Sequence, residues 1–98
     1  MNFEEDIVKA SNSKPILVDF YANWCGPCKM LTPIIEDAAK ANDITLVKVN
    51  VDENSGVAEV YEVHGIPCVI LVKNEKEVAR FTGFKPMPVV DKFIKDNK

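Results

Sequence analysis

The sequence predicts an α/β domain, a mixed sheet carrying helices on both faces. Three observations predict it. The runs at 16–22 (ILVDFYA) and 68–73 (CVILVK) are nearly continuous in apolar and aromatic character, without the alternation of a half-exposed strand, so both faces of each are buried. Strand-like runs alternate with segments of helical periodicity through the first two thirds of the chain. The last two strand-like runs, 68–73 and 77–82, are separated only by Asn74-Glu75-Lys76, close enough for an antiparallel hairpin. The predicted order is α-β-α-β-α-β-β-α.

Each element follows from its residues. Phe3, Ile7 and Val8 share a face, which predicts a short helix over 3–10, closed by the turn-like Ser11–Lys14 and by Pro15. After the strand at 16–22, Gly26-Pro27 marks a sharp turn, and Pro27 suits a first helical turn because its missing N–H has no partner there anyway. Met30, Leu31, Ile34, Ile35, Ala38 and Ala39 recur at helical spacing over 27–41. Pro33 falls inside that helix, where it removes one backbone bond and is expected to kink the axis. Residues 44–51 (ITLVKVNV) predict a second strand and 55–62 a short helix. Gly65-Ile66-Pro67 is a break, and Gly83 ends the final strand. Val89, Val90, Phe93 and Ile94 form the apolar stripe of a last helix that begins near Pro86 or Pro88, since proline does not belong in a helix interior.

Ninety-eight residues predict one domain, with no linker, repeat or low-complexity tract to divide it. Apolar residues make up 47% and charged ones 28%, which excludes a disordered or fibrous chain. Twelve Lys and Arg against fifteen Asp and Glu give a net charge of −3, which argues against general nucleic-acid binding. No run approaches the roughly 20 apolar residues that span a bilayer, and no basic segment followed by an apolar one marks a signal peptide. The expectation is a soluble, cytoplasmic protein without nucleic-acid or membrane partners.

The three cysteines are Cys25, Cys28 and Cys68. An odd number does not suit a secreted disulfide scaffold, and Cys-x-x-Cys spacing beside a βαβ pattern points to redox chemistry or metal. Strand, then Trp24-Cys25-Gly26-Pro27-Cys28-Lys29, then helix places Cys25 at a helix N-terminus, where unpaired N–H groups and the helix dipole favour negative charge. A thiolate is the nucleophile, so that is where the chemistry wants it. Cys25, at the strand end, is the expected attacking thiolate. Cys28, one turn inside and shielded, is the expected resolving thiol. The competing reading is a zinc-stabilised structural or interaction module holding its metal through Cys25, Cys28, His64 and Cys68. Covalent haem attachment fails, because Lys29 stands where a histidine is needed.

VDFYANWCGPCKMLTP (18–33), LVKVNVDEN (46–54), YEVHGIPCVILVKN (61–74) and FTG (81–83) strongly resemble the thioredoxin family, from about Ile16 onward. The resemblance implies the thioredoxin fold, a central mixed sheet of four to five strands. Little chain precedes Phe3, so the usual N-terminal edge strand is expected to be shortened or missing. The implied activity is that of a protein disulfide reductase in electron transport and cell redox homeostasis. It would act on disulfide-containing client proteins and be recycled by a flavin- and NADPH-dependent thioredoxin reductase. The domain itself needs no bound cofactor, because its sulfurs carry the electrons, and it is expected to be a monomer. Gly-Pro between the cysteines, rather than Gly-His, resembles the reducing members of the family.

Residue roles follow from the same resemblance. Asp19 stands in the most apolar strand, where a lone carboxylate is costly unless it is protonated or partnered. By resemblance it exchanges a proton with Cys28, with Lys48 as its partner. Pro67 is implied to be cis and to face the cysteine pair, with the backbone of Ile66 pairing with an extended client segment. Trp24, Gly26, Pro27, Gly65, Ile66 and Gly83 would form a flat apolar docking surface. His64 is read as a solvated rim residue. Three positions depart from the family pattern. Tyr21 replaces a common second tryptophan, and the hairpin lacks its usual glycine, which predicts a longer, less ideal turn. Cys68 replaces threonine after the proline. There it either fills a small buried site or offers a third reactive thiol near the pair.

Overall fold

Four strands form one sheet in the computed structural model, which describes residues 2–98. The strands are β1 (Ile16–Tyr21), β2 (Thr45–Asn50), β3 (Cys68–Lys73) and β4 (Lys76–Thr82), in the spatial order β2-β1-β3-β4. β1 runs parallel to β2 and antiparallel to β3, and β3 is antiparallel to β4. The sheet is therefore mixed, and its two central strands are the two with nearly continuous apolar runs. Side chains of β1 and β3 are buried on both faces, as that pattern requires. β4 is an edge strand, exposed along much of its length and carrying Lys76, Glu77 and Arg80, charges that discourage pairing with another chain.

Alternation along β1 sorts the core into two layers. Leu17, with Val69 and Leu71 of β3, packs against Leu31 and Ile35 of helix α1 (Gly26–Ala41) and against Val90 and Ile94 of helix α3 (Met87–Asn97). Ile16, Val18 and Phe20, with Ile70 and Val72, face the opposite way and pack against Ile7 and against Ala58 of helix α2 (Ser55–Val60). Each fully buried Leu, Ile or Phe contributes about 1.5–3 kcal/mol. Asp19 follows Leu17 in the alternation and so lies on the α1 side.

No strand precedes β1 among the described residues; Met1 lies outside them. The helix expected over 3–10 is instead a π-helical turn, Glu4–Lys9, running into a 3₁₀ turn, Ala10–Asn12. The tightening at the end turns Ser11 inward, where it is 1% exposed and holds the β3–β4 hairpin. Its carbonyl accepts from Asn74 N–H at 3.0 Å, and its Oγ accepts from Glu75 N–H at 2.7 Å.

That hairpin corrects the expectation of a longer turn. β3 ends at Lys73, β4 begins at Lys76 rather than 77, and Lys73 pairs with Lys76 across a two-residue loop. Both loop residues have positive φ, Asn74 at 53° and Glu75 at 68°, the requirement of a tight type I′ turn. Glutamate takes the second position because its Oε2 accepts from Asn12 Nδ2 at 2.6 Å and its N–H is held by Ser11. The register shifts between Leu71 and Val72 leave Val78 as a bulge, half-exposed on the edge.

α1 continues through Pro33, whose missing N–H falls on the exposed side of the helix. α2 is shorter than expected, ending at Val60, and Glu62 with φ 53° turns the chain out of the helix. α3 starts at Met87 with Pro86 as its N-cap residue and Pro88 in its first turn, where proline is tolerated.

Candidate active site

The site lies where β1 runs out into α1. Ala22 closes the turn by accepting the Cys25 N–H at 3.2 Å, and Cys25 then caps the helix. Its backbone is extended, and its sulfur accepts the N–H of Cys28 at 3.2 Å. A helix start has several such donors without internal partners, and here one points at a sulfur. Cys25 and Cys28 are joined by a disulfide with their Cα atoms 5.3 Å apart. Cys25 is 5% exposed and Cys28 2%. The pair packs with Ala22, and Tyr21, Val51 and Ile66 close around it.

The Ile66–Pro67 peptide bond is cis, and Ile66 touches the disulfide cluster. The Pro67 carbonyl accepts the N–H of Gly83 at 2.8 Å. Gly83 has φ +87°, a conformation that side chains rarely adopt, so a glycine is needed at the point where β4 leaves that clamp. Trp24 is 70% exposed beside the cysteines. Its indole N–H donates to Asp52 Oδ2 at 2.9 Å, and the Asp52 N–H is in turn held by Asn50 Oδ1, which fixes the ring at the rim. Gly26, Pro27 and Gly65 are exposed around the same rim. Trp24, His64, Gly65 and Ile66 line a shallow hollow of about 200 Å³ there. A second groove of about 400 Å³ runs along the Cys28 side, past Tyr21, Lys29 and Thr32.

Asp19 is 1% exposed beneath α1. Burial pushes its carboxyl from 3.8 up to about 6, against the smaller opposing influences of the Thr32 hydroxyl and the Lys48 ammonium. Lys48 stands opposite Asp19 in the β1–β2 register, but its ammonium bonds Glu36 Oε2 at 3.0 Å and acts on Asp19 only through space. Cys68 pairs in register with Phe20 and Thr82 and packs in the Ile7–Phe20 layer, a cluster separate from that of Cys25 and Cys28. Burial pushes its thiol up, with Arg80 opposing. Among the described residues no group of three or more His, Cys, Asp or Glu is placed to hold a metal ion, so the zinc module of Cys25, Cys28, His64 and Cys68 is not favoured. No helix among the described residues is long and apolar enough to cross a membrane.

Three contributors were not singled out from sequence. Asp52 holds Trp24 from 28 residues away, and no local signal links them. Glu36 takes Lys48, twelve residues on. Thr32 contacts both Asp19 and the Cys28 carbonyl. Its four-residue spacing from Cys28 puts the two on one helix face, a signal the sequence does carry.

The thioredoxin family model matches residues 1–96. A thioredoxin of Chlamydia pneumoniae is 58% identical over 71 residues, 71% of this chain and 70% of that protein. A thioredoxin of Chlamydia trachomatis serovar D is 44% identical over 92 residues, covering 93% and 90%. Among solved structures, a single-site mutant of a thioredoxin from Halobacterium salinarum superposes with a TM-score of 0.87 at 35% identity, over 99% of this chain and 85% of that one. With a disulfide on a helix N-terminus, and with the family model matching residues 1–96, the chain belongs to the thioredoxin family and is a thiol–disulfide oxidoreductase, reducing protein disulfides.

Proposed function

We propose that the 98-residue chain works as one domain in which Cys25 attacks, Cys28 resolves and Asp19 handles the proton between them. The observation that carries this assignment is the capping of α1 by the Cys25 sulfur, which receives the Cys28 N–H at 3.2 Å. The same donor and the helix dipole stabilise negative charge on that sulfur once the disulfide is reduced.

The Cys25 thiolate attacks one sulfur of a client disulfide. The client's S–S bond breaks, a Cys25–client disulfide forms, and the other client sulfur leaves as thiolate and takes a proton from water. The Cys28 thiol then gives its proton to the Asp19 carboxylate and attacks the Cys25 sulfur. The Cys25–Cys28 bond forms and the second client sulfur departs. Two electrons have passed from the dithiol to the client. A carboxyl poised at about 6 suits the transfer, because it can hold or release a proton near neutral pH.

The client lies across Trp24, Gly26, Pro27, Gly65, Ile66, Pro67 and Gly83. An extended segment pairs with the backbone of Ile66, next to the disulfide. This gives affinity through the main chain and little selectivity for sequence, as a reductase of many clients needs. Lys48 tunes Asp19 through its field. Cys68 fills a small buried site. A thioredoxin reductase returns electrons to the Cys25–Cys28 disulfide, and the domain acts as a cytoplasmic monomer.

The test is dithiol-driven reduction of a model protein disulfide by wild type, Cys25→Ser and Cys28→Ser. Neither variant turns over, and only Cys28→Ser accumulates a covalent client complex. A complex trapped by Cys25→Ser instead would reverse the two roles.

A further inference from the structure

Asp19 is the only buried ionisable side chain among the described residues outside the cysteines. Its Oδ1 has no hydrogen-bond partner, and its Oδ2 has one polar neighbour, the Thr32 hydroxyl at 3.4 Å. That hydroxyl also lies 2.9 Å from the Cys28 carbonyl oxygen, one helical turn back. A threonine hydroxyl carries a single proton, so it cannot serve both oxygens at once. The shorter contact takes it, as the back-bond a helical threonine makes four residues upstream.

Thr32 then turns a lone pair toward Asp19. A lone pair facing a carboxylate repels it; facing a protonated carboxyl, it accepts a hydrogen bond. When Asp19 is ionised the better arrangement is the reverse, with the hydroxyl proton swung onto Oδ2. The Cys28 carbonyl tolerates that change, since the backbone N–H of Thr32 serves it within α1 in either case. The other charged groups facing Asp19 offset one another. Lys48 from β2 favours its ionisation and Glu36 from α1 opposes it, while the two are bonded to each other at 3.0 Å.

We propose that Thr32 is a positioning residue for the proton on Asp19: its hydroxyl accepts from the protonated carboxyl while donating to the Cys28 carbonyl, and rotates to donate to the carboxylate when that proton leaves. The hydroxyl thus supplies a partner to each charge state of an acid otherwise almost stripped of partners. It also couples that acid to the helical turn that carries Cys28. This rests on the assignment of Asp19 as proton acceptor for Cys28, and the experiment separates the two.

The experiment uses the full chain with Thr32→Val, which keeps the shape and removes the hydroxyl, and Thr32→Ser, which keeps the hydroxyl. The first measurement is the titration of the Asp19 carboxyl carbon by NMR in the disulfide form. Thr32→Val loses the bond to both charge states, and the one to the ionised carboxylate is the stronger. The ionisation constant therefore falls about three- to tenfold and the midpoint moves to higher pH. Thr32→Ser stays within about twofold of wild type. An unmoved or lowered midpoint in Thr32→Val, or a serine variant that behaves like valine, would overturn the proposal. The second measurement is the pH profile of client release from the mixed disulfide in a single turnover. Release in Thr32→Val slows about two- to fivefold near pH 6, by less than about twofold at pH 7, and recovers by about pH 9, following the displaced carboxyl. A displaced carboxyl with an unmoved release profile would leave the hold of Thr32 on Asp19 standing and remove Asp19 from the release step.

Discussion

At the scale of single residues, the site sets opposite demands on two ionisable groups three positions either side of Ala22. Cys25 is placed where charge is welcomed, on the cap of α1. Asp19 is placed where charge is resisted, 1% exposed with one oxygen unpartnered. The cost of the second placement has a sign that can be measured. A folded-state carboxyl raised from 3.8 to about 6 favours the protonated fold. Stability is therefore full below about pH 4, declines as pH rises through about 6, and is flat above that. The gap amounts to about 3 kcal/mol at full ionisation. Asp19→Asn removes this decline: by urea unfolding of the disulfide form it gains stability over wild type above about pH 7 and loses its pH dependence between about 4 and 7. The same variant releases client more slowly at neutral pH. A variant less stable than wild type at about pH 8 would contradict the burial account.

At the scale of elements, the N-terminal turns and the hairpin depend on one another. Ser11 donates to the Val8 carbonyl at 2.6 Å and accepts from Glu75 N–H at 2.7 Å, so one hydroxyl closes the 3₁₀ turn and the hairpin loop together. Ser11→Ala leaves a partly buried backbone donor and acceptor short of a partner. We expect a loss of about 1–3 kcal/mol, read as a lower urea midpoint at unchanged slope. Glu75 sits at φ 68°, where glycine has no steric cost. Glu75→Gly relieves the backbone and forfeits the exposed Asn12 contact, so the net change is a gain of up to about 1 kcal/mol. A loss larger than about 1 kcal/mol would show that the Asn12 contact, and not the backbone, governs this turn.

At the scale of the whole molecule, the parts legible in sequence are those that depend on near neighbours. The nearly continuous apolar runs of β1 and β3 mark central strands, and the hairpin follows from the short spacing between 68–73 and 77–82. The cap at Cys25 follows from strand, Gly-Pro and helix in succession. What depends on distant partners was not legible. Asn74-Glu75 is a tight turn because Ser11, more than sixty residues away, holds its N–H groups. Trp24 is fixed by Asp52 and Lys48 is drawn off by Glu36, pairings that exist only once β2 lies beside β1 and α1. Even so, the layers pack as one unit: the radius of gyration is 12.2 Å, close to the roughly 12–13 Å of a compact chain this long. Far- and near-ultraviolet circular dichroism should accordingly report a single, coincident urea transition. Two separate transitions would mean that the α1–α3 layer and the Ile7–Phe20 layer fold independently.

The most direct measurement is the titration of the Cys25 sulfur in the reduced protein, followed by thiolate absorbance and by the pH dependence of its alkylation, with Cys68 replaced by serine. A sulfur capping a helix should ionise about one pH unit or more below the ~8.5 of an unperturbed cysteine. A midpoint at or above that ordinary value would mean that the helix start does not activate the nucleophile, and the mechanism built on it would not stand.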